Sequence, residues 1–399
     1  MIRLTTRGFG LLSTGVVLLI AASATGVRAV AWPGGLLIGL VLAAGGLTWF
    51  SARRPTLRRR LLPDRLAAGS PMRVQLDLQR DSIGAGAWSV VEETVPPELT
   101  GAPALAVPSG WGGLRSVHEY QLGTTVRGRY RVGPGIWVTT DPLGLASSRR
   151  GLGGTSLLTV TPAVHRLGTL GTAAGAGLTG ESAQRSSSLL GADDALIREY
   201  RPRDELRRIH WPSTARMGSL MVRREEHAWE PSALILLDNR SGAHSGGGSG
   251  SSFEWAVSAA ASIGVHLLDA GFDVELTDAS GRTLAPEVGA SAREVLLDHL
   301  TDVHLSNAYE LSGALMQGIG GRGNLLIAVL GRLSTADAMA LTNARTDGRL
   351  CRALILHAPD GPGTDPAELL VADGWQVVRD AASRSVADAC AGFGWSARG

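Results

Sequence analysis

The chain has 399 residues, 44% of them hydrophobic and 19% charged, with 38 basic side chains against 36 acidic ones and a net charge of +2. That apolar content excludes wholesale disorder, and the near-neutral balance excludes a chain built along its length to hold nucleic acid. No lysine occurs, which excludes a P-loop, a kinase lysine and a Schiff-base lysine; the two cysteines, Cys351 and Cys390, cannot supply a disulfide framework or a four-cysteine zinc site and read as core residues in apolar text.

Two uncharged apolar stretches open the chain, at about 9–27 and 30–50. Each approaches the roughly 20 residues that cross a bilayer as a helix. The run Ala22-Ser23-Ala24 imitates a signal-peptide cleavage site, but the second stretch favours a membrane hairpin over residues 1–60. Arg28, Trp32 and Pro33 mark its turn. Arg3 and Arg7 precede it, and Arg53, Arg54, Arg58, Arg59 and Arg60 follow it. This asymmetry predicts a two-pass protein of the cell membrane with both termini in the cytoplasm. The trailing arginines read as a stop-transfer flank, able to rest on anionic headgroups.

Residues 62–165 change to short alternating runs separated by Gly and Pro, predicting strands at 72–78, 88–95, 115–122, 125–132, 136–140 and 156–161. Such spacing indicates an antiparallel β-sandwich with nothing catalytic in it. Residues 166–195, rich in Gly, Ala, Ser and Thr, read as a linker.

A charged segment at 196–230 follows. Between Arg198 and Glu226 it holds eight arginines and five acids, interleaved with Tyr200, Ile209, His210, Trp211, Leu220 and Val222. Apolar residues at this density predict a half-buried segment whose arginines pair with Glu199, Asp204 or Glu205, since an unpaired buried charge is costly. Three readings stay open: a structural network, a docking surface anchored by Arg and Trp, or an anion-binding or catalytic site.

Here the text resembles the bacterial domain of unknown function 58 family. Tyr200, Pro202, Asp204, Arg207, Ile209, Trp211, Ala215 and Arg216 match that family's signature, while Arg203 stands where the family usually has Gly. The runs Arg127 to Pro134 and Asp141 to Leu145 resemble it too.

Residues 231–399 alternate strands with helices. Strands are predicted at 232–238, 272–277, 324–330, 352–357 and 375–378, and helices at 253–270, 292–300, 309–318, 335–345 and 383–391. That pattern predicts a doubly wound α/β sheet, whose ligands gather at the carboxyl ends of the strands, where Asp238 falls. The family resemblance implies that this is a von Willebrand factor A-like domain, in which an Asp-x-Ser-x-Ser loop holds a divalent cation. Here the loop reads Asp238-Asn239-Arg240-Ser241-Gly242. An arginine and a glycine stand at the two hydroxyl positions, so the site at Asp238, Arg240 and Gly242 is degenerate and no metal is expected; Asp238 can instead pair with Arg240 or cap the loop. The Gly318 to Gly323 run precedes a strand, the wrong order for a dinucleotide loop.

The fold expected is therefore a multidomain α+β chain: transmembrane hairpin, β-sandwich, doubly wound α/β domain. The function expected is that of a non-enzymatic, membrane-anchored interaction protein without cofactor or nucleic-acid partner. Its partner-docking or structural residues are Tyr200, Asp204, Arg207, Trp211 and Arg216. The resemblance implies a MoxR-type AAA+ ATPase as partner, in assembly or maturation of envelope or secreted complexes. The alternatives are an adhesion module dependent on Mg²⁺ or another divalent metal, and a hydrolase, for which no Gly-x-Ser-x-Gly text exists.

Overall fold

The computed structural model describes residues 2–51, 55–80, 88–101, 104–107, 114–168, 197–199, 209, 211–223, 231–284, 289, 291–311, 324–343, 345, 349–357 and 365–395. It divides into two compact units, residues 1–161 and 162–399.

The first unit begins with a three-residue strand, β1 (Ile2–Leu4), followed by helices α1 (Thr6–Thr25) and α2 (Arg28–Ser51). Both helices are long and apolar enough to cross a membrane. Their hairpin is tighter than the sequence suggests: Gly26, in the left-handed conformation, and Val27 alone connect them, and Pro33 lies inside α2. The helices cross closely at two glycines. A Cβ on Gly15 would lie 3.0 Å from the Gly34 carbonyl oxygen, and one on Gly34 would lie 3.0 Å from that of Gly15, so small residues set this crossing. The Thr5 side chain caps α1 by accepting from the Gly8 amide at 3.1 Å, and its hydroxyl donates to the Gly144 carbonyl at 2.6 Å.

Ten further strands complete this unit: β2 (Thr56–Leu62), β3 (Arg65–Ala67), β4 (Met72–Arg80), β5 (Trp88–Glu93), β6 (Ala104–Val107), β7 (Leu114–Leu122), β8 (Gly128–Val132), β9 (Gly135–Thr140), β10 (Ala146–Leu152) and β11 (Ser156–Thr161). They form three sheets, ordered β1-β10-β9-β5-β6, β3-β11-β8 and β2-β4-β7. All pairings are antiparallel except β3 with β11. Period-two alternation sends Val74, Leu76 and Leu78 of β4 inward to a single core shared with Val91, Trp137, Val132 and Leu158 from the other sheets.

Of the arginines that follow the second span, Arg58, Arg59 and Arg60 lie within β2, paired along its length with β4. Alternation turns Arg59 inward, where its side chain is 3% exposed and meets Glu93, whose own side chain is fully buried. Arg53 and Arg54 lie outside the described residues.

In the second unit, β12 (Ile197–Glu199) and β13 (Met221–Arg223) form an antiparallel ribbon, with helix α3 (Trp211–Met217) between them in sequence. There follow β14 (Ser232–Leu237), α4 (Ser252–Asp269), β15 (Asp273–Asp278), β16 (Thr283–Leu284), α5 (Ala292–Asp302), β17 (Leu325–Leu330), α6 (Thr335–Asn343), β18 (Leu350–Ile355), α7 (Pro366–Ala372), β19 (Gln376–Val378) and α8 (Val386–Ala391). The sheet runs β16-β15-β14-β17-β18-β19, parallel except for β16. Without the short β16 this is the order 2-1-3-4-5, doubly wound, with its switch point between β14 and β17. Both faces are covered, which is why the strands are almost continuously apolar. Ala233, Ile235 and Leu237 pack under α4 and α5, while Leu234 and Leu236 face α6 and α7. The helix expected at 309–318 does not begin there, since Tyr309 and Glu310 are irregular, and residues 312–318 are not described. Cys351 and Cys390 are both buried and unbonded, and burial pushes their thiols up to about 11 and about 12.

Candidate functional site

The switch point carries the densest polar chemistry of the described residues. Asp238 follows the last residue of β14 and is fully buried. Its Oδ1 accepts from the Arg240 backbone amide at 3.1 Å and from Arg240 Nε at 2.9 Å. Its Oδ2 accepts from Arg240 Nη2 at 2.9 Å and from the Gly331 amide, beyond β17, at 3.1 Å. Only glycine fits at 331, because an added Cβ would lie 2.3 Å from the Ala243 carbonyl oxygen.

Arg240 turns its remaining donors to the opposite wall. Nη1 donates to Asp337 Oδ2 at 2.9 Å and to the Tyr309 carbonyl at 3.2 Å. Asp337 belongs to the first turn of α6, where Ser334 and Asp337 form a reciprocal cap: the Ser334 hydroxyl accepts from the Asp337 amide at 3.1 Å and donates to Asp337 Oδ2 at 2.7 Å. One guanidinium thus spans two buried carboxylates with its planar fork.

The electrostatics follow from that geometry. Burial works against the Arg240 charge, but hydrogen bonds and attraction from Asp238 and Asp337 outweigh it and hold the guanidinium above its ordinary pKa. Burial likewise works against the Asp337 carboxylate, and Ser334 and Arg240 outweigh it and hold the group below the usual carboxylate range. His244 has the opposite balance: burial pulls it down more than its contact with the Asp238 carbonyl, 2.6 Å from Nε2, raises it.

This arrangement does not fit a divalent cation. Both oxygens of Asp238 are committed, and a positive group stands between the carboxylates where a cation would have to sit. Gly242 lies in a 3₁₀ turn at Ser241–Ala243 and brings no side-chain ligand. Among the described residues no group of three His, Cys, Asp or Glu side chains could hold a metal ion. Nearby, Ser245 Oγ lies 3.2 Å from His357 Nε2, a hydroxyl–imidazole contact at the ends of β14 and β18.

Of the charged-segment residues, Tyr200, Asp204 and Arg207 fall outside the described residues. Trp211 and Arg216 share α3. No residue of α3 is buried, and Trp211 is 66% exposed, beside Met217 at 71%. Among the described residues of the segment, Met221 of the ribbon is buried and Ile209 half-buried, and the Met221 amide donates to Thr214 Oγ1 at 3.0 Å.

The sequence pointed to Asp238 and Arg240 but not to Asp337. The signal for Asp337 was the Ser334-x-x-Asp337 cap text before an apolar helix, which reveals a helix start and not its partner 97 residues away. No curated protein matches the chain. Residues 196–315, under a third of the chain and including β14, Asp238 and Arg240, match the family model described as Protein of unknown function DUF58, which supports placing the chain in that family.

Proposed function

We propose that this chain is a membrane-anchored, non-enzymatic interaction protein whose α/β domain works as a self-neutralised, von Willebrand factor A-like module. In this reading α1 and α2 lie in the cell membrane with both termini in the cytoplasm, and the partner is a MoxR-type AAA+ ATPase acting in assembly or maturation of envelope or secreted complexes. The observation that carries it is Arg240. The place where such a sheet would offer a cation or a reacting carboxylate is filled by the chain's own guanidinium, held between Asp238 and Asp337. A site neutralised from within suits a fixed docking scaffold better than metal-dependent adhesion or acid–base catalysis. The exposed Trp211, Arg216 and Met217 of α3 supply the residue types that anchor protein interfaces. The lack of any lysine leaves ATP-driven work to a partner.

The test is recovery of tagged full-length protein from mildly solubilised native membranes, with and without ATP, followed by identification of what accompanies it. A nucleotide-sensitive AAA+ ATPase is expected, with recovery reduced at least about tenfold by Trp211→Ala, the size of a strong anchor residue's contribution. Reproducible absence of such an ATPase, with the protein intact in the membrane fraction, would overturn the reading.

A further inference from the structure

The turn Asp141-Pro142-Leu143-Gly144-Leu145, which joins β9 to β10, is docked on the open end of the apolar hairpin. The Thr5 hydroxyl donates to the Gly144 carbonyl at 2.6 Å, and the Thr5 amide donates to that of Leu145 at 3.0 Å. Gly8 closes on the Leu145 backbone with no room for a side chain. Leu145 is buried with Val41 and Ala44 of α2, and Leu11 and Leu12 of α1 pack against them. The tip of the same turn is bare: Pro142 is exposed, and Leu143 is 53% exposed.

Depth follows from helix length. α1 has 20 residues, about 30 Å at 1.5 Å per residue, which is the thickness of a bilayer's hydrocarbon layer. When this helix crosses the layer, its first turn, with Gly8, falls at one edge. On α2, Val41 and Ala44 precede the exposed Trp49 by eight and five residues, about 12 and 7 Å along the axis. A tryptophan at the end of a span marks the headgroup level, which puts Leu145 on the lipid side of it. Arg3 and Arg7, both exposed, stand at the same end, where anionic headgroups meet them.

The backbone of the turn suits such a place. A segment that enters lipid cannot leave N–H groups unbonded. Pro142 has none. The buried Asp141 carboxylate accepts from the amides of Leu143 at 2.9 Å, Leu145 at 2.7 Å and Ala146 at 2.6 Å. The Gly144 amide donates to the Asp141 carbonyl at 3.0 Å, and the Asp141 amide donates to the Ala146 carbonyl at 3.2 Å. Every backbone donor from 141 to 146 is satisfied within the protein, and the two side chains at the tip are apolar.

We infer that Pro142 and Leu143 form a membrane-interfacial wedge, inserted at the headgroup–acyl boundary of the leaflet at the open end of the hairpin. This rests on the reading of α1 and α2 as membrane spans. The wedge gives the β unit a third attachment to the bilayer besides the two helices, and so fixes its orientation on the lipid surface.

The test uses full-length Leu143→Cys carrying an environment-sensitive fluorophore, in vesicles of phosphatidylcholine with anionic phosphatidylglycerol. Cys351 and Cys390 are buried, and unaltered protein treated with the dye measures their background. Leu157→Cys, at a β11 position also 53% exposed, is the comparison. The dye at 143 should emit to the blue and lose fluorescence to lipids carrying a nitroxide at the top of the acyl chain. The dye at 157 should do neither. Flotation of the protein with the vesicles is read in parallel. Protein that does not float overturns the spanning reading and the wedge with it. Protein that floats, with the dye at 143 no more quenched by lipid than the dye at 157, overturns the wedge alone. A blue shift there without lipid quenching would assign the tip to a second copy of the chain instead.

Discussion

The two units each bury an arginine against a carboxylate, and the difference between the two lies in where the pair sits. In the β unit, Arg59 of β2 makes a two-pronged contact with Glu93 of β5, both bonds 3.0 Å, and its Nη1 donates to the Val132 carbonyl of β8 at 3.1 Å. β2, β5 and β8 belong to three different sheets, so one side chain ties all three together. In the α/β unit, Arg240 makes the same chemical contacts at the switch point of the sheet, the crevice where doubly wound folds bind ligands. The first pair closes a core, and the second closes a site. Charge-pairing geometry alone does not separate a structural from a functional arginine; its place in the topology does.

This contrast can be broken in three ways, taken from the largest expected effect downward. Arg59→Met leaves Glu93 buried and unpaired and should cost about 3–5 kcal/mol, read as a lowered unfolding midpoint of the first unit that no divalent cation restores. Arg240→Ala strands two carboxylates and should cost a similar or slightly smaller amount in a chelator. Millimolar Mg²⁺ should recover part of that loss, because Asp238, Asp337, Ser334 and the Tyr309 carbonyl then face a space emptied of positive charge. Calorimetric titration of the unaltered protein with Mg²⁺ should remain silent, and a binding isotherm there would make Arg240 a displaceable latch instead of a permanent occupant. If Mg²⁺ rescues neither variant or both, the distinction between core and site fails.

Asp337→Asn should be milder, about 1–3 kcal/mol at neutral pH. The folded state holds the Asp337 carboxylate below its unfolded value of 3.8, so its stabilisation is complete above that pH and is lost as the pH falls through the lower folded value. The gap in unfolding free energy between wild type and Asp337→Asn should therefore narrow only below about pH 3.8, and a gap that already closes at pH 6 would contradict the pairing.

What was legible in the sequence follows the same division. The runs at Ser232–Leu237 and Leu325–Leu330 announce themselves because strands covered on both faces must be apolar throughout. The two opening helices are equally plain. β2 was not legible: Thr-Leu-Arg-Arg-Arg-Leu-Leu looks like a basic flank until Glu93, 34 residues on, is seen to face Arg59. β10, with Ser147, Ser148, Arg149 and Arg150, hides for the same reason, since polar residues mask its alternation. At the site, the oddity of an arginine two residues after Asp238 was visible, but its second carboxylate was not, because sequence pattern reports faces and periods rather than long-range partners. Arg352 shows the converse: a single charge inside an apolar strand stands out in the text, while the Phe393 and Trp395 rings that its guanidinium meets do not.

The pairing of β1 with β10 bears on how the chain is made. Ile2–Leu4 leaves the ribosome well before its partners Ala146 to Ser148, which follow some 140 residues later. At about 5–20 residues per second that delay is on the order of 10 s. Throughout it, the two apolar helices are already complete while the edge that will receive the first strand does not exist. The hairpin must therefore be sheltered, in a lipid phase or by a chaperone, before its own sheet can close. The closing step pins Thr5 to the Leu145 carbonyl at 3.0 Å and brings Gly8 so near that a Cβ there would stand 2.1 Å from the same oxygen. Any side chain at position 8 would thus act late in biogenesis, blocking the final docking of the hairpin on an otherwise finished β unit.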